Sequence, residues 1–361
     1  MAMAGVTLIA HTELVPAQSL QRTTDSLMEK YASPEGPGAS LLVIHNGRVE
    51  YMKSYGLAEV DTRKPVGAGT NFRLASLSKQ FTATAVMLLV ADGKLHYDDD
   101  ITSLLPGLPS FAHGVTVRNL LNHTSGLPDY EDFVPDSQTT QVHDRDIPSL
   151  IAHAAAPKFS AGTRYDYSNT GYGLLALIVE RTSAKRFADF LHDRIFAPLA
   201  MTGTVAHEEG RSVVAQRAYG HTVSPSAIRR TDQSNTSAVL GDGGIYTSVI
   251  DWAKWDRALE QHTLVSAAEQ QLAWTPPSLP NGAKTDYGFG WFVDRDHGTM
   301  RLRHHGESRG FTNGVIRYPE KRISVVVLTN RSGGAPWDIA QTIAELYLDP
   351  SSGGASVPWR P

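Results

Sequence analysis

Ser76 and Lys79 stand three residues apart in Phe72-Arg73-Leu74-Ala75-Ser76-Leu77-Ser78-Lys79-Gln80-Phe81, at the head of an apolar run that stops at Ala91-Asp92-Gly93. This pattern predicts a buried helix with Ser76 in its first turn. On a helix, residues three apart share a face, so the hydroxyl and the amine can meet. The positive end of the helix dipole and the apolar surroundings both favour a neutral amine there. A neutral amine can accept the serine proton, which makes Ser76 a candidate activated nucleophile. A helix cap followed by a solvated lysine has the same spacing, so the pair alone leaves both readings open.

Two further stretches carry polar groups suited to a cleft. Tyr165-Asp166-Tyr167-Ser168-Asn169-Thr170-Gly171 precedes an apolar helical pattern and can aim Tyr167 and Asn169 inward. The alternative is a turn capped by Ser168 or Asn169. His304-His305-Gly306-Glu307-Ser308-Arg309-Gly310-Phe311 falls between two strand patterns. A glycine at a strand edge permits close backbone approach, and N–H groups there can stabilise an oxyanion; a turn with surface histidines is the alternative. No His-Glu-x-x-His or comparable ligand spacing accompanies the histidines, so neither metal nor cofactor is expected. Asp98-Asp99-Asp100 reads as a turn and helix-cap cluster. Gly241-Asp242-Gly243-Gly244 lacks the Lys-Ser/Thr of a phosphate loop and is expected to let backbone pass close to the site. Trp252, Trp255, Trp274 and Trp291 are expected in the core or cleft wall, Trp291 as a candidate acyl-pocket residue.

The elements that must hold these groups follow from periodicity. A helix is expected over Gln18 to Tyr31, then a hairpin in which Asn46-Gly47 joins two strand-like runs. Residues 95–240 read as mainly helical, with patterns at Val117–Leu121, Ile147–Ala155, Gly171–Arg181 and Phe187–Ile195. Beyond a helical pattern at Ile250–Leu259, strand signals return at Tyr287–Val293, Met300–Arg303, Thr312–Tyr318 and Ile323–Leu328, before a closing helix at Trp337–Leu348. The fold class is therefore α+β, an α/β sandwich. One antiparallel sheet is built from both chain ends (18–94 and 241–348) and flanked by helices, with a helical insertion at 95–240 and flexible termini at 1–17 and 349–361.

Composition narrows the function classes. A formal net charge of −4 excludes a basic nucleic-acid footprint. The absence of cysteine excludes disulfides, thiol catalysis and Cys-ligated zinc. No run approaches the roughly 18 apolar residues of a membrane span, so a soluble protein is expected. Met1–Ala10 lacks a positive start and is short for a signal peptide, which leaves the cytoplasm open, or the periplasm or exterior if a leader was trimmed. Oligomeric state is not readable.

Taken in order, Ser-x-x-Lys, Tyr-x-Asn and His-x-Gly resemble the serine β-lactamase and penicillin-binding-protein superfamily. The nearest likeness is to class C β-lactamases, family VIII carboxylesterases and D-aminopeptidases. Leu120-Leu121-Asn122-His123-Thr124-Ser125-Gly126-Leu127, Gly241–Ser248 and Tyr287-Gly288-Phe289-Gly290-Trp291 extend the resemblance over roughly residues 20–348. It implies that Ser76 attacks a carbonyl to form an acyl-enzyme, with Lys79 and Tyr167 sharing the proton work. Asn169 would bind substrate, and the N–H groups of Ser76 and Glu307 would hold the oxyanion beside His304, His305 and Gly306. Where the family's β-lactamases carry Lys-Thr-Gly, this chain has His304-His305-Gly306, and a histidine is largely neutral near pH 7. Glu307 stands where a small residue is usual and would repel anions unless it points away or pairs with Arg309. Both departures favour neutral or cationic substrates, simple esters or D-amino-acid amides, and the leading expectation is a carboxylesterase on small acyl esters with weak β-lactam hydrolysis. The alternatives are a β-lactamase or D-aminopeptidase or DD-peptidase on peptidoglycan-like amides, or a non-catalytic binding relative.

Overall fold

The computed structural model describes residues 14–135 and 137–348. Most of the termini expected to be flexible lie outside these residues, but 14–17 do not: they open helix α1, Leu14–Leu27, which a short 3-10 turn at Glu29–Tyr31 follows. Strands β1 (Ala39–His45) and β2 (Arg48–Tyr55) form the expected hairpin. Asn46 and Gly47 both take positive φ, 53° and 73°, as a tight two-residue turn matched to strand twist requires.

Four late strands complete the sheet: β3 (Phe292–Asp296), β4 (Thr299–Ser308), β5 (Phe311–Tyr318) and β6 (Ile323–Thr329). The order is β3-β4-β5-β6-β1-β2 with antiparallel pairing throughout, so the two chain ends do share one sheet. β1 is buried along nearly its whole length. Leu42 and Ile44 face the larger core, while Leu41 and Val43 pack with Ile339 and Ile343 of the closing helix. A strand covered on both faces reads as a continuous apolar run.

Helix α2 (Lys79–Ala91) runs through the larger core and packs against α3 (Asn169–Ser183). It stops where Gly93 takes φ 69°. α4 (Val249–Gln261) packs against β1, and α5 (Pro336–Leu348) covers the other face of the sheet. Burying each Leu, Val, Met or Phe of α2 stabilises the fold by about 1.5–3 kcal/mol. The helical middle shares this core with the sheet and also contains strand: Val205–Ala206 joins a small sheet, and His221–Ser224 pairs with Ala227–Arg230.

Two strand expectations need correction. Tyr287–Val293 is not a strand; Tyr287 makes one bridge to Phe292, and β3 begins only at Phe292. The intervening Gly290 takes φ 76° and lies against α2 so tightly that a Cβ would be 2.9 Å from the Gln80 Cα. The strand expected at Met300–Arg303 runs on through the His304–Ser308 edge as the second half of β4, and the turn falls at Arg309 and Gly310. Among the described residues no helix is long and apolar enough to cross a membrane.

Candidate active site

Ser76 sits one step before the helix expected to contain it. Ala75–Ser78 form a 3-10 turn, and α2 begins at Lys79. Ala75 takes φ 51°, a left-handed conformation uncommon for a residue with a Cβ. Tertiary bonds hold this turn: Leu74 donates its N–H to the Ile245 carbonyl at 2.8 Å, and the Asn313 amide donates to the Arg73 carbonyl at 2.8 Å. Backbone strain maintained this way is common at functional sites.

Lys79 is fully buried, and its Nζ meets three oxygens: Ser76 Oγ at 3.1 Å, Asn169 Oδ1 at 2.8 Å and the Asp242 carbonyl at 3.1 Å. The last two can only accept. A neutral amine giving both its N–H groups to them would have its lone pair left for the Ser76 hydroxyl proton. The same nitrogen lies 5.0 Å from the centre of the Tyr167 ring. Tyr167 is half-buried, with its ring against His123 at 4.2 Å and parallel to Phe292 at 6.3 Å. Ser76, Lys79, Tyr167 and Asn169, read from separate stretches of sequence, thus surround one point.

The strand side is less uniform. Gly306 lies so close to the chain entering the Ala75–Ser78 turn that a Cβ would be 2.1 Å from the Leu74 carbonyl oxygen. Close approach of this kind requires glycine. His304 faces the same side and is buried, with Nε2 2.9 Å from the Tyr287 hydroxyl and Nδ1 2.6 Å from the His305 carbonyl. Burial pushes its pKa well below the ordinary value, and His305 and Lys79 act in the same direction. His305 lies on the opposite face, stacked near Phe292 and against Trp337 of α5, and burial lowers it to about 4. Grouping His305 with the cleft residues is therefore corrected by strand alternation, which sends neighbouring side chains to opposite faces. Glu307 lines the cleft beside Ser308, but alternation puts its side chain on the His305 side, so its backbone is the part suited to the cleft.

One cleft is lined by Ser76, Asn169, Asp242, Gly243 and Glu307, and also by Glu131 and Arg73. Sequence reasoning missed Glu131. It lies in a 3-10 turn (Tyr130–Phe133) without a recognisable motif, although Asp129 just before it caps that turn and accepts the Asn169 N–H at 3.0 Å. Glu131 as a residue is exposed, but its carboxyl is partly desolvated in the cleft, which together with Asp129 raises it above the ordinary value, while Lys79, Asn169 and Thr236 act against them. Asp242 is buried, accepts the Tyr130 hydroxyl at 2.9 Å, and is raised to about 7 chiefly by burial. Its glycine neighbour does pass close to the Ala75–Ser78 turn, with the Gly243 Cβ position 3.6 Å from the Ala75 Cα. Asp100 caps a short helix through the Thr102 N–H at 2.8 Å, and Asp98 pairs with Arg118 at 2.9 Å. Trp252, Trp255, Trp274 and Trp291 are all buried. Among the described residues no group of three or more His, Cys, Asp or Glu could hold a metal ion.

A protein-family model described as Beta-lactamase matches residues 20–348. Penicillin-binding protein 4* of Bacillus subtilis (strain 168) is 32% identical over 338 residues, covering 90% of this chain and 74% of that protein. A D-aminopeptidase of Brucella ovis is 27% identical over 320 residues, covering 83% of this chain and 58% of that longer protein. D-amino acid amidase of Ochrobactrum anthropi SV3, solved with L-phenylalanine amide, superposes with a TM-score of 0.77 at 25% identity, covering 92% of this chain and all of that one.

Proposed function

The chain belongs to the Beta-lactamase family and is a serine hydrolase, and from that premise we propose that it cleaves small amides and esters whose acyl part carries a free amino group. D-Amino-acid amides come first, since a D-aminopeptidase and a D-amino acid amidase are among its relatives. Glu131 carries the reading. It is an accessible carboxylate in the cleft that holds Ser76, suited to an ammonium group of the substrate. Where a lysine would hold a substrate carboxylate, this chain has His304, which burial pushes toward the neutral form.

In this reading Lys79 takes the Ser76 proton and Oγ attacks the carbonyl carbon. The oxyanion rests between the N–H groups of Ser76 and Glu307. The leaving nitrogen or oxygen departs with a proton supplied through Lys79 and Tyr167. Water, deprotonated by the same pair, then attacks the acyl-enzyme and releases the acid and Ser76. Asn169 holds both Lys79 and the substrate. A carboxylesterase on neutral esters is the second reading, favoured by the uncharged histidines.

The test compares D-alanine p-nitroanilide, p-nitrophenyl butyrate and a chromogenic cephalosporin on wild type, Ser76→Ala and Glu131→Gln. The anilide should give the highest kcat/KM, and Ser76→Ala should abolish all three. Glu131→Gln should raise KM for the anilide alone by roughly 10- to 100-fold, the worth of one hydrogen bond to a charged group. A faster butyrate with no effect of Glu131→Gln replaces this reading with the esterase. A faster cephalosporin makes the protein a β-lactamase.

A further inference from the structure

His123 is outside the residues assigned above to substrate or proton transfer, yet it holds Tyr167 in three ways. Its carbonyl accepts the N–H of Asp166, just before the tyrosine, at 3.0 Å. Its ring Nδ1 accepts the N–H of Ser168, just after the tyrosine, at 3.2 Å. Between these two bonds the imidazole lies on the phenol ring, centroids 4.2 Å apart and planes inclined by 35°.

Other features show that this grip is maintained against local preference. An Nδ1 that accepts fixes the proton on Nε2, and Nε2 is buried without a hydrogen-bond partner. The backbone of His123 is left-handed, with φ 58°. Burial keeps the ring uncharged, and Lys79 and His304 add to that effect. Tyr287, whose hydroxyl meets His304, packs on the imidazole with centroids 4.4 Å apart, so the grip reaches the strand side of the cleft.

We propose that His123 is a positioning residue that fixes the main chain and ring plane of Tyr167 beside Lys79, and so sets the rate of proton transfer without touching substrate. This rests on the role given to Tyr167 above. A shift of about 1 Å in a reacting group can cost on the order of 100-fold in rate.

The experiment is a double-mutant cycle. kcat and KM are measured, per folded protein by circular dichroism, for wild type, His123→Ala, Tyr167→Phe and the double variant on the best substrate. His123→Asn is added because its Oδ1 can stand where Nδ1 stood and asparagine tolerates the left-handed backbone. His123→Ala should lower kcat roughly 10- to 100-fold with KM within about twofold. His123→Asn should regain part of that loss, and the double variant should be no slower than Tyr167→Phe alone. If His123→Ala does not fold, His123→Asn enters the same cycle with a smaller loss that must also vanish in the Tyr167→Phe background. Wild-type kcat in Tyr167→Phe removes the Tyr167 role and this inference with it. A slow Tyr167→Phe combined with additive losses, or a His123 variant that loses stability but not kcat, overturns the positioning role alone.

Discussion

Lys79 and His304 are both buried beside Tyr167, and the protein treats them in opposite ways. The Lys79 nitrogen is surrounded by Ser76 Oγ, Asn169 Oδ1 and the Asp242 carbonyl, with Asp242 and Glu131 close by. His304 meets a phenol and a carbonyl, and burial holds it neutral. In the proposed mechanism the helix wall of the cleft works through side chains that can move a proton. In the same mechanism the strand wall works through backbone, brought close by Gly306. Polar groups left in a low-dielectric site act strongly only where they are partnered, so each wall is specialised by what its neighbours supply.

The sharpest challenge to this contrast is Lys79→Ala. Loss of the proton acceptor should cut kcat/KM by about 100- to 10,000-fold on any good substrate. Initial rates that stay above a tenth of wild type would take proton transfer away from the helix wall.

Gly306→Ala tests the other wall. The new methyl would be 2.1 Å from a main-chain oxygen, so the strand and the segment leading into the Ser76 turn must separate. Chemical denaturation should show a loss of about 1–3 kcal/mol, as for other overpacked sites, together with a fall in kcat. An unchanged midpoint with unchanged kcat would mean that the strand does not approach Ser76 as closely as described.

The smallest effect concerns the acid behind Lys79. Burial pushes the Asp242 carboxyl from an ordinary 3.8 up to about 7 in the fold. A raised carboxyl contributes stability that is complete below its unfolded pKa and is lost as pH rises through its folded pKa. Wild type should therefore lose stability between about pH 4 and 7 relative to Asp242→Asn, which keeps an acceptor for Tyr130. The melting temperature of the variant should gain on wild type by a few degrees from pH 5 to 8.5, and a constant difference would show that Asp242 does not titrate there.

Locally encoded features were readable from the chain alone. Asn46-Gly47 forms its turn because the two residues themselves tolerate positive φ. Ser76 and Lys79 meet because three residues bring side chains to one face even where the turn is 3-10 rather than α. Misreadings arose where a distant partner decided the outcome. Gly290 bends the chain to fit α2, which shortened the expected strand from Tyr287. His305 looked like a neighbour of His304 in function as well as in sequence, until pairing with β5 fixed the pleat and turned it toward Trp337.

By itself the sequence determined the α+β class, the sheet shared by both chain ends, and the serine, lysine, tyrosine and asparagine of the site. The class and the shared sheet rest on periodicity, which short-range geometry enforces; Tyr167 and Asn169 are joined to Ser76 and Lys79 by the resemblance of their motifs to a known family. Only the tertiary structure decided that Glu131 opens into the cleft, that His305 leaves it, and that His123 grips both flanks of Tyr167. Those facts depend on which segments meet after folding, and buried contacts between segments far apart in the chain leave no local pattern to read.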